Sequence, residues 1–237
     1  MALSSLLDII TSVADELSLD RPSAVVAATA QQTRTLFACA QDAGRSLLRA
    51  HEWGALQTVG TITTVNGTAS YALASDYDRM VPDTGWNRTG DTMLQGPDSP
   101  QVDRYLQESG VAQTSTRQRF RLKGSNVTIW PTPTSAETLV YEYVSNKWAL
   151  SSGGTAQIEF LADTDTSYFD PNLMKAEIKW RFIKARGLDA QALYKEAEEL
   201  REQRIASDIG GAKLSMAPSP SSQFVELDNL ADGNWSL

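Results

Sequence analysis

The apolar residues of this chain change their spacing twice along the sequence, and that pattern limits the folds available to it. Near the N-terminus and again after Pro171 they recur at the spacing of one face of an α-helix. Over residues 55–161 they alternate with polar residues, as in half-buried β-strands. The pattern therefore predicts the α+β class, with helices at both ends and strands between them.

Two helices are predicted before the strands. Residues 3–17 carry one apolar stripe, and Pro22 with its polar neighbours ends it. Ser23 is expected to cap a second helix over residues 24–52, with Cys39 in its apolar stretch. Cys39 is the single cysteine of the chain, so we expect a buried thiol and no intrachain disulfide.

Two more helices are predicted after the strands. Asp170 followed by Pro171 is typical of a capped helix start. Gly187 offers a stop, and Asp189 can cap a further helix. We expect the four helices to pack as one bundle, with the strand region inserted after the second helix.

The strand region contains two tight-turn sequences. Asn66-Gly67 and Gly124-Ser125 each separate two alternating stretches, so each predicts a β-hairpin. Two further strands are predicted over residues 138–145 and 155–161. Between the hairpins, residues 76–101 are rich in proline and glycine and predict a long structured loop, a feature that is often functional.

The predicted organisation has four parts. They are the N-terminal helices of the bundle (1–54), a β-rich insertion domain with the loop 76–101 (55–169), the C-terminal helices of the bundle (170–209) and an extended C-terminal tail (210–237). The tail is either a disordered terminus or a segment that orders on a partner. Its apolar residues are Phe224, Val225, Leu227, Leu230 and Trp235.

The sequence offers little that catalysis could use. His51 is the single histidine, and one histidine with one cysteine cannot form the usual zinc sites. Asp163, Asp165 and Asp170 resemble the start of a calcium loop, but the glycine and the terminal glutamate of that loop are missing. We therefore expect no catalytic residues, metal or cofactor, while a pair among the many carboxylates leaves glycoside hydrolysis open.

Charge and hydropathy exclude two further classes. The net charge of -8 argues against an electrostatic grip on nucleic acid. No apolar run approaches the ~18 residues that span a bilayer, and the N-terminal segment lacks the basic region of a signal peptide. We expect a protein that is made in the cytoplasm and has no membrane partner.

A basic stripe is predicted on one strand face of this acidic chain. Its members alternate with other residues and therefore point to one side of a strand; they are Arg117, Arg119, Arg121 and Lys123. Two interpretations stay open. The stripe pairs with acidic residues of a neighbouring strand or subunit, or it contacts DNA phosphates or an acidic partner.

A series of short stretches resembles the head-to-tail adaptor proteins of tailed bacteriophages, in the group of head-completion or tail tubular protein A-like proteins. In order they are DYDR (76–79), WNRTG (86–90), LQGPDSPQ (94–101), WPTP (130–133), YEYVSNKW (141–148), FLADTD (160–165) and IKWRFIKARGLD (178–189). The resemblance covers residues 3–210 and implies a helical bundle with a β-rich insertion.

The resemblance also implies a role in the virion. Such adaptors attach as a ring under the portal, extend the DNA channel and dock the tail or nozzle. The implied partners are the portal protein, tail proteins and further copies of the chain in a dodecamer, while genomic DNA passes through the lumen without specific binding. A tail-associated glycan-binding module or glycan hydrolase is the alternative function.

Two segments are candidate contacts in this adaptor role. The loop is expected to pack at a subunit or tail interface through Arg79, Trp86, Arg88 and Pro97, since Trp and Arg are common interface anchors. The alternative is that Trp86 and Arg79 brace the loop on its own β unit. The apolar residues of the tail are expected to bind the portal.

Overall fold

The structure is a computed structural model that describes residues 4–108 and 117–209. Its helices are α1 (Leu6–Glu16), α2 (Gln31–Ala50), α3 (Pro100–Glu108), α4 (Pro171–Ala185) and α5 (Gln191–Ile209). Its strands are β1 (Gln57–Thr63), β2 (Ser70–Ala72), β3 (Tyr77–Met80), β4 (Trp86–Asn87), β5 (Thr92–Met93), β6 (Arg119–Lys123), β7 (Asn126–Trp130), β8 (Thr138–Ser145), β9 (Ala149–Leu150), β10 (Ala156–Gln157) and β11 (Thr166–Ser167). The α+β class is confirmed.

The helical part is built around α4, which contacts α1, α2 and α5. The buried face of α4 includes Leu173, Met174 and Ile178, and it packs against the apolar faces of α1 and α2. Glu177 is fully buried on α4 and accepts a hydrogen bond from Arg201 of α5 at 3.2 Å, and it also pairs with Arg181. The predicted association of the four helices is thus observed.

The start of the second helix was predicted wrongly. Helix α2 begins at Gln31, and Ala30 at its N-cap position makes no side-chain hydrogen bond. Residues 24–30 are instead irregular with a turn at residues 26–27, since the Asp163 carboxylate accepts hydrogen bonds from the backbone N–H groups of Val25 at 3.1 Å and Val26 at 2.8 Å. A distant acid, rather than Ser23, therefore satisfies the donors at this point.

The starts of the last two helices match the prediction. Asp170 accepts hydrogen bonds from the N–H groups of Asn172 and Leu173 at the start of α4. Gly187 follows α4 with a positive φ of 74°. Asp189 then accepts from the N–H of Gln191 at 2.9 Å, where α5 begins.

The β part consists of two sheets packed face to face. One sheet has the order β1-β8-β4-β5, with β3 also pairing β8, and the other has the order β2-β7-β6. Side chains from both sheets share one core: Ile62, Phe120, Val127, Ile129, Leu139, Tyr141 and Tyr143. Strands β9, β10 and β11 form a third, small sheet.

Two strand predictions were wrong and two were right, and the strand predicted over residues 138–145 is β8. The Asn66-Gly67 turn forms, with Gly67 at φ 77°, but the strands on either side pair in different sheets, β1 with β8 and β2 with β7. The segment 155–161 contains only the two-residue strand β10. The β6–β7 hairpin around Gly124-Ser125 is confirmed.

The segment 76–101 is more regular than the predicted loop. It contains β3, β4 and β5, and α3 begins at Pro100. Ser99 starts this helix, because its hydroxyl accepts from the N–H of Val102 and its carbonyl accepts from the N–H of Asp103. The Ser-Pro pair is the same type of start signal as Asp170-Pro171, and it was overlooked among the turn formers.

The end of β8 links the β sheets to the helical core. Val144 of β8 and the following Trp148 and Ala149 are fully buried in the core that α1, α2 and α4 form. Trp148 packs edge-on against Phe160 with ring centroids 4.8 Å apart. Within the described residues, no helix has the length and apolar character needed to cross a bilayer.

Candidate interaction surfaces

The residues considered for catalysis have structural roles. His51 ends α2, and its Nε2 lies 3.3 Å from Oδ2 of Asp208 near the end of α5. Burial, with the nearby Asp42 carboxylate, raises the pKa of the Cys39 thiol to about 11. A thiol with that pKa stays protonated at neutral pH and is a poor nucleophile.

The three aspartates considered for calcium hold backbone groups instead. Asp163 binds the N–H groups before α2, Asp165 accepts from those of Leu161 and Ala162, and Asp170 caps α4. Over residues 4–108 and 117–209, no group of three or more His, Cys, Asp or Glu side chains is placed to hold a metal ion.

Arg79 joins the β sheets to the helical bundle. Its Nη2 donates hydrogen bonds to the carbonyls of Leu48 at 3.0 Å and His51 at 2.6 Å, both at the C-terminal end of α2. Its Nη1 pairs with Asp78 at 2.8 Å. Because the last carbonyls of a helix have no partner within the helix, Arg79 caps α2 while it anchors β3.

Asp76 stabilises the C-terminal end of β8. It accepts hydrogen bonds from Tyr143 Oη and Ser145 Oγ, each at 2.9 Å. Burial alone would raise the pKa of Asp76, but these two bonds, a backbone hydrogen bond and the charge of Lys147 together hold the pKa below its usual value. Burial and the bond to Asp76 together raise the pKa of Tyr143 to about 12.

Trp86 and Arg88 lie on the outer face of the larger sheet, away from the core between the sheets. Trp86 pairs directly with Val140 of β8 and with Met93 of β5, and directly paired residues share a face. The Arg88 N–H bonds to the carbonyl of Thr138, which continues the same register. The side chains of Trp86, Arg88 and Met93 are exposed.

Pro97 lies in a segment that is bonded to β6. Gln95 and Asp98 exchange backbone hydrogen bonds with Gln118 and Phe120. Gly96 is needed there, because a Cβ atom on it would meet the Phe120 carbonyl oxygen at 2.5 Å. Pro97 itself is exposed.

Two arginines of the basic stripe are neutralised within the chain. Arg119 Nε donates to Asp98 at 2.8 Å, and this pairing raises the pKa of Arg119. Arg121 pairs with Asp103 of α3, which also accepts from Trp130 Nε1 at 2.8 Å. The partners thus come from α3 and the turn before it, rather than from a neighbouring strand.

The other two members of the stripe lie near the two ends of β6. Lys123 is exposed at the end of β6, and Arg117 is exposed just before it. The tail residues Phe224, Val225, Leu227, Leu230 and Trp235 lie outside the described residues. Helix α5, which precedes the tail, is fixed near its end by Asp208, whose carboxylate accepts from the N–H of Gly54 at 2.8 Å.

Sequence reasoning missed the outer face of the sheet as a surface. Trp86 and Arg88 were singled out as loop residues, whereas Val59, Val140 and Met93 were not singled out. The pairing of β8 with both β1 and β4 brings them together, and no local pattern reveals that pairing.

The family model of the SU10 adaptor protein matches residues 4–221. The chain therefore belongs to the SU10 adaptor protein family, which confirms the resemblance to phage head-to-tail adaptors. It is a phage adaptor protein and a virion component. A comparison with curated proteins gives no match.

Proposed function

We propose that this protein attaches as a ring under the portal, extends the DNA channel and docks the tail or nozzle. The observation that carries the proposal is the family match over residues 4–221 on a helical bundle joined to a β sandwich. The partners are the portal protein, the tail proteins and further copies of this chain, as a dodecamer in the related rings.

The rigid joint between the two parts supports this role. A ring subunit that transmits a fixed geometry from portal to tail needs parts that do not swing relative to each other. Arg79 bonds two carbonyls of α2, and Val144 of β8 is fully buried in the helical core. The Arg79 hydrogen bonds and the packing of Val144 would both have to break before the sheets could move against the bundle.

The charges support a channel through which DNA slides. A protein of net charge -8 repels phosphates over most of its surface. Arg119 and Arg121 are committed to Asp98 and Asp103, which leaves them poorly placed to bind DNA. This distribution of charge favours passage of the genome without specific binding.

The C-terminal tail is proposed to lie along the portal. It would bury its apolar residues there at about 25 cal/mol per Å² before ordering costs. Arg79 is bonded to the end of α2, so the proposed subunit or tail contacts of the loop fall to the exposed Trp86, Arg88 and Pro97.

Co-sedimentation with the purified portal ring tests the tail. The full chain is compared with a variant carrying Leu227→Ser, Leu230→Ser and Trp235→Ser, and with a control carrying Gln223→Ser, Asn229→Ser and Asn234→Ser. We expect the full chain and the control to sediment with the portal, and the apolar variant to remain in the supernatant. Equal binding of all three would refute the tail contact, and binding by none would refute portal docking.

A further inference from the structure

Strand β1 has an unpaired edge that is unusually well suited to accept another strand. It lies at the end of its sheet, and its only strand partner within the described residues is β8. The register with β8 runs without interruption over all seven residues, Gln57–Thr63. At ~3.4 Å per residue, the edge is about 24 Å long.

The backbone groups at this edge can be assigned from the pairing. The N–H of Thr64 bonds to the carbonyl of Glu137, so the residues of β1 that bond to β8 are the even-numbered ones. The N–H and C=O groups of Val59, Thr61 and Thr63 therefore point away from β8, toward the open edge, whereas the N–H of Gln57 is bonded to the carbonyl of Gly54.

This edge lacks the usual protection against pairing. Natural edge strands are blunted by charged residues, by proline, by bulges or by shortness. The stretch QTVGTITTV, residues 57–65, contains no charged residue and no proline, and it is rich in β-branched residues. Thr61 and Thr63 are exposed, and Val59 is 55% exposed. An edge of this kind needs a cover in the working assembly.

An apolar face adjoins the edge on the same sheet. Thr61 of β1, Val140 of β8, Trp86 of β4 and Met93 of β5 are paired in one row across the outer face. Trp86 is 37% exposed and Met93 is 44% exposed. Trp86 beside the exposed Met93 and Val59 gives this face the composition of an interface core.

The charge of the surface favours a second copy of this chain as its occupant. Each copy has a net charge of -8, so two copies approach with least repulsion where they are neutral. On the outer face, the rows through Val59, Thr61 and Thr63 carry few charges, namely Glu142, Arg88 and, opposite Arg88 in the β4–β5 turn, Asp91. The surface thus has little net charge on a strongly acidic protein.

We propose that the open edge of β1 and the row that contains Trp86 form one half of the contact between neighbouring copies, which add an extended segment to the sheet. This inference rests on the proposed ring. Main-chain hydrogen bonds supply the binding in such strand addition, and Trp86 with Arg88 fixes the register. A contact between different surfaces of identical copies is head-to-tail, and it forms a ring when the rotation between neighbouring copies closes.

Hydrogen exchange on the unmodified protein gives the first test. The peptide covering residues 57–64 is followed by mass spectrometry in the free chain, at one copy per portal and at full occupancy. Three amides, those of Val59, Thr61 and Thr63, are expected to slow about tenfold or more at full occupancy and to stay fast at one copy per portal. If these amides were already fully protected from exchange at one copy per portal, the portal would be covering the edge and the inference would be wrong.

A matched pair of proline variants gives the second test. Thr61→Pro removes an outward N–H and leaves the β1–β8 bonds intact, because proline is tolerated where the N–H faces solvent. Ser70→Pro makes the same change on the short open edge of β2, where Ile129 bonds to Ala69 and Ser70 therefore points outward. Thermal unfolding of both free variants checks that each folds.

Occupancy of the portal is then titrated for the wild type and both variants. We expect the concentration for a half-filled ring to rise at least about tenfold for Thr61→Pro and to stay unchanged for Ser70→Pro. The inference would be wrong if Thr61→Pro formed a complete ring at wild-type concentrations, or if the edge amides stayed fast in the wild-type ring. Either result would still be consistent with the proposed ring. Failure of the wild type to form any ring would overturn the proposed function as well.

Discussion

Gly44 lies within α2 directly beneath the indole of Trp148, and replacing it with alanine should lower the stability of the protein. A Cβ atom on Gly44 would fall on the six-membered ring of Trp148, well inside van der Waals contact. Trp148 is fully buried and packs against Phe160 and Phe169, so it has little room to move. The helix would have to shift to accept the methyl group.

Two opposing effects decide the size of the change. In an open helical position, alanine is more stable than glycine by about 1 kcal/mol. Overpacking of a buried site costs about 1–3 kcal/mol, and direct overlap with a ring belongs at the upper end. We therefore expect Gly44→Ala to lower the free energy of unfolding by about 2 kcal/mol, or the Tm by about 4–8 °C for a chain of this size.

Urea unfolding with matched variants tests this reasoning. Ala38→Gly changes an exposed position of the same helix and measures the helix preference alone, for which we expect a loss of about 1 kcal/mol. Trp148→Phe shortens the ring that blocks Gly44 and should reduce the cost of Gly44→Ala in the double variant. If Gly44→Ala stabilised the protein, the close packing of α2 on Trp148 would be refuted.

Three further predictions concern single polar groups. The folded pKa of Tyr143, about 12, lies above its unfolded value of ~10, so its contribution is present below pH 10 and is lost as the pH rises toward 12. Tyr143→Phe should therefore flatten the decline in urea stability from pH 10 to 11 by up to about 1.4 kcal/mol, and an unchanged decline would contradict the assignment. Asp163→Ala should cost about 1–2 kcal/mol through the lost bonds to Val25 and Val26, whereas the exposed Asp20→Ala should change the Tm little. Glu177→Gln leaves Arg181 and Arg201 without their buried partner and should cost about 3–5 kcal/mol by urea unfolding; a loss below 1 kcal/mol would argue against that buried pairing.

Local signals were the part of the fold that the sequence predicted well. Asp170 with Pro171, Gly187 and Asp189 each act on backbone groups a few residues away, and the structure places each as predicted. The Gly124-Ser125 hairpin is equally local. Such signals are reliable because the partner lies close in the chain.

Distant partners explain the errors. The Asn66-Gly67 turn forms, but β1 is better satisfied by β8, where Ile62 faces Leu139 in the shared core. The start of α2 moved because Asp163, far along the chain, binds the N–H groups near Ser23. Tertiary pairing overrode local preference in both cases.

For the candidate surfaces too, local features were predictable from the sequence and distant partners were not. Alternation alone placed Arg119 and Arg121 on one face, but the acids that neutralise them are Asp98, in the segment 76–101 that was expected to be a loop, and Asp103, on a helix that was not predicted. Trp86 was singled out by type, yet its neighbours on the outer face come from β1, β5 and β8. A surface assembled from four strands has no signature in any one of them.

The most direct test of the adaptor role is imaging of the full chain mixed with its purified portal ring. We predict a closed ring of this protein on one end of the portal, coaxial with its channel. Portal rings that remain bare at saturating concentrations of the full chain would contradict it.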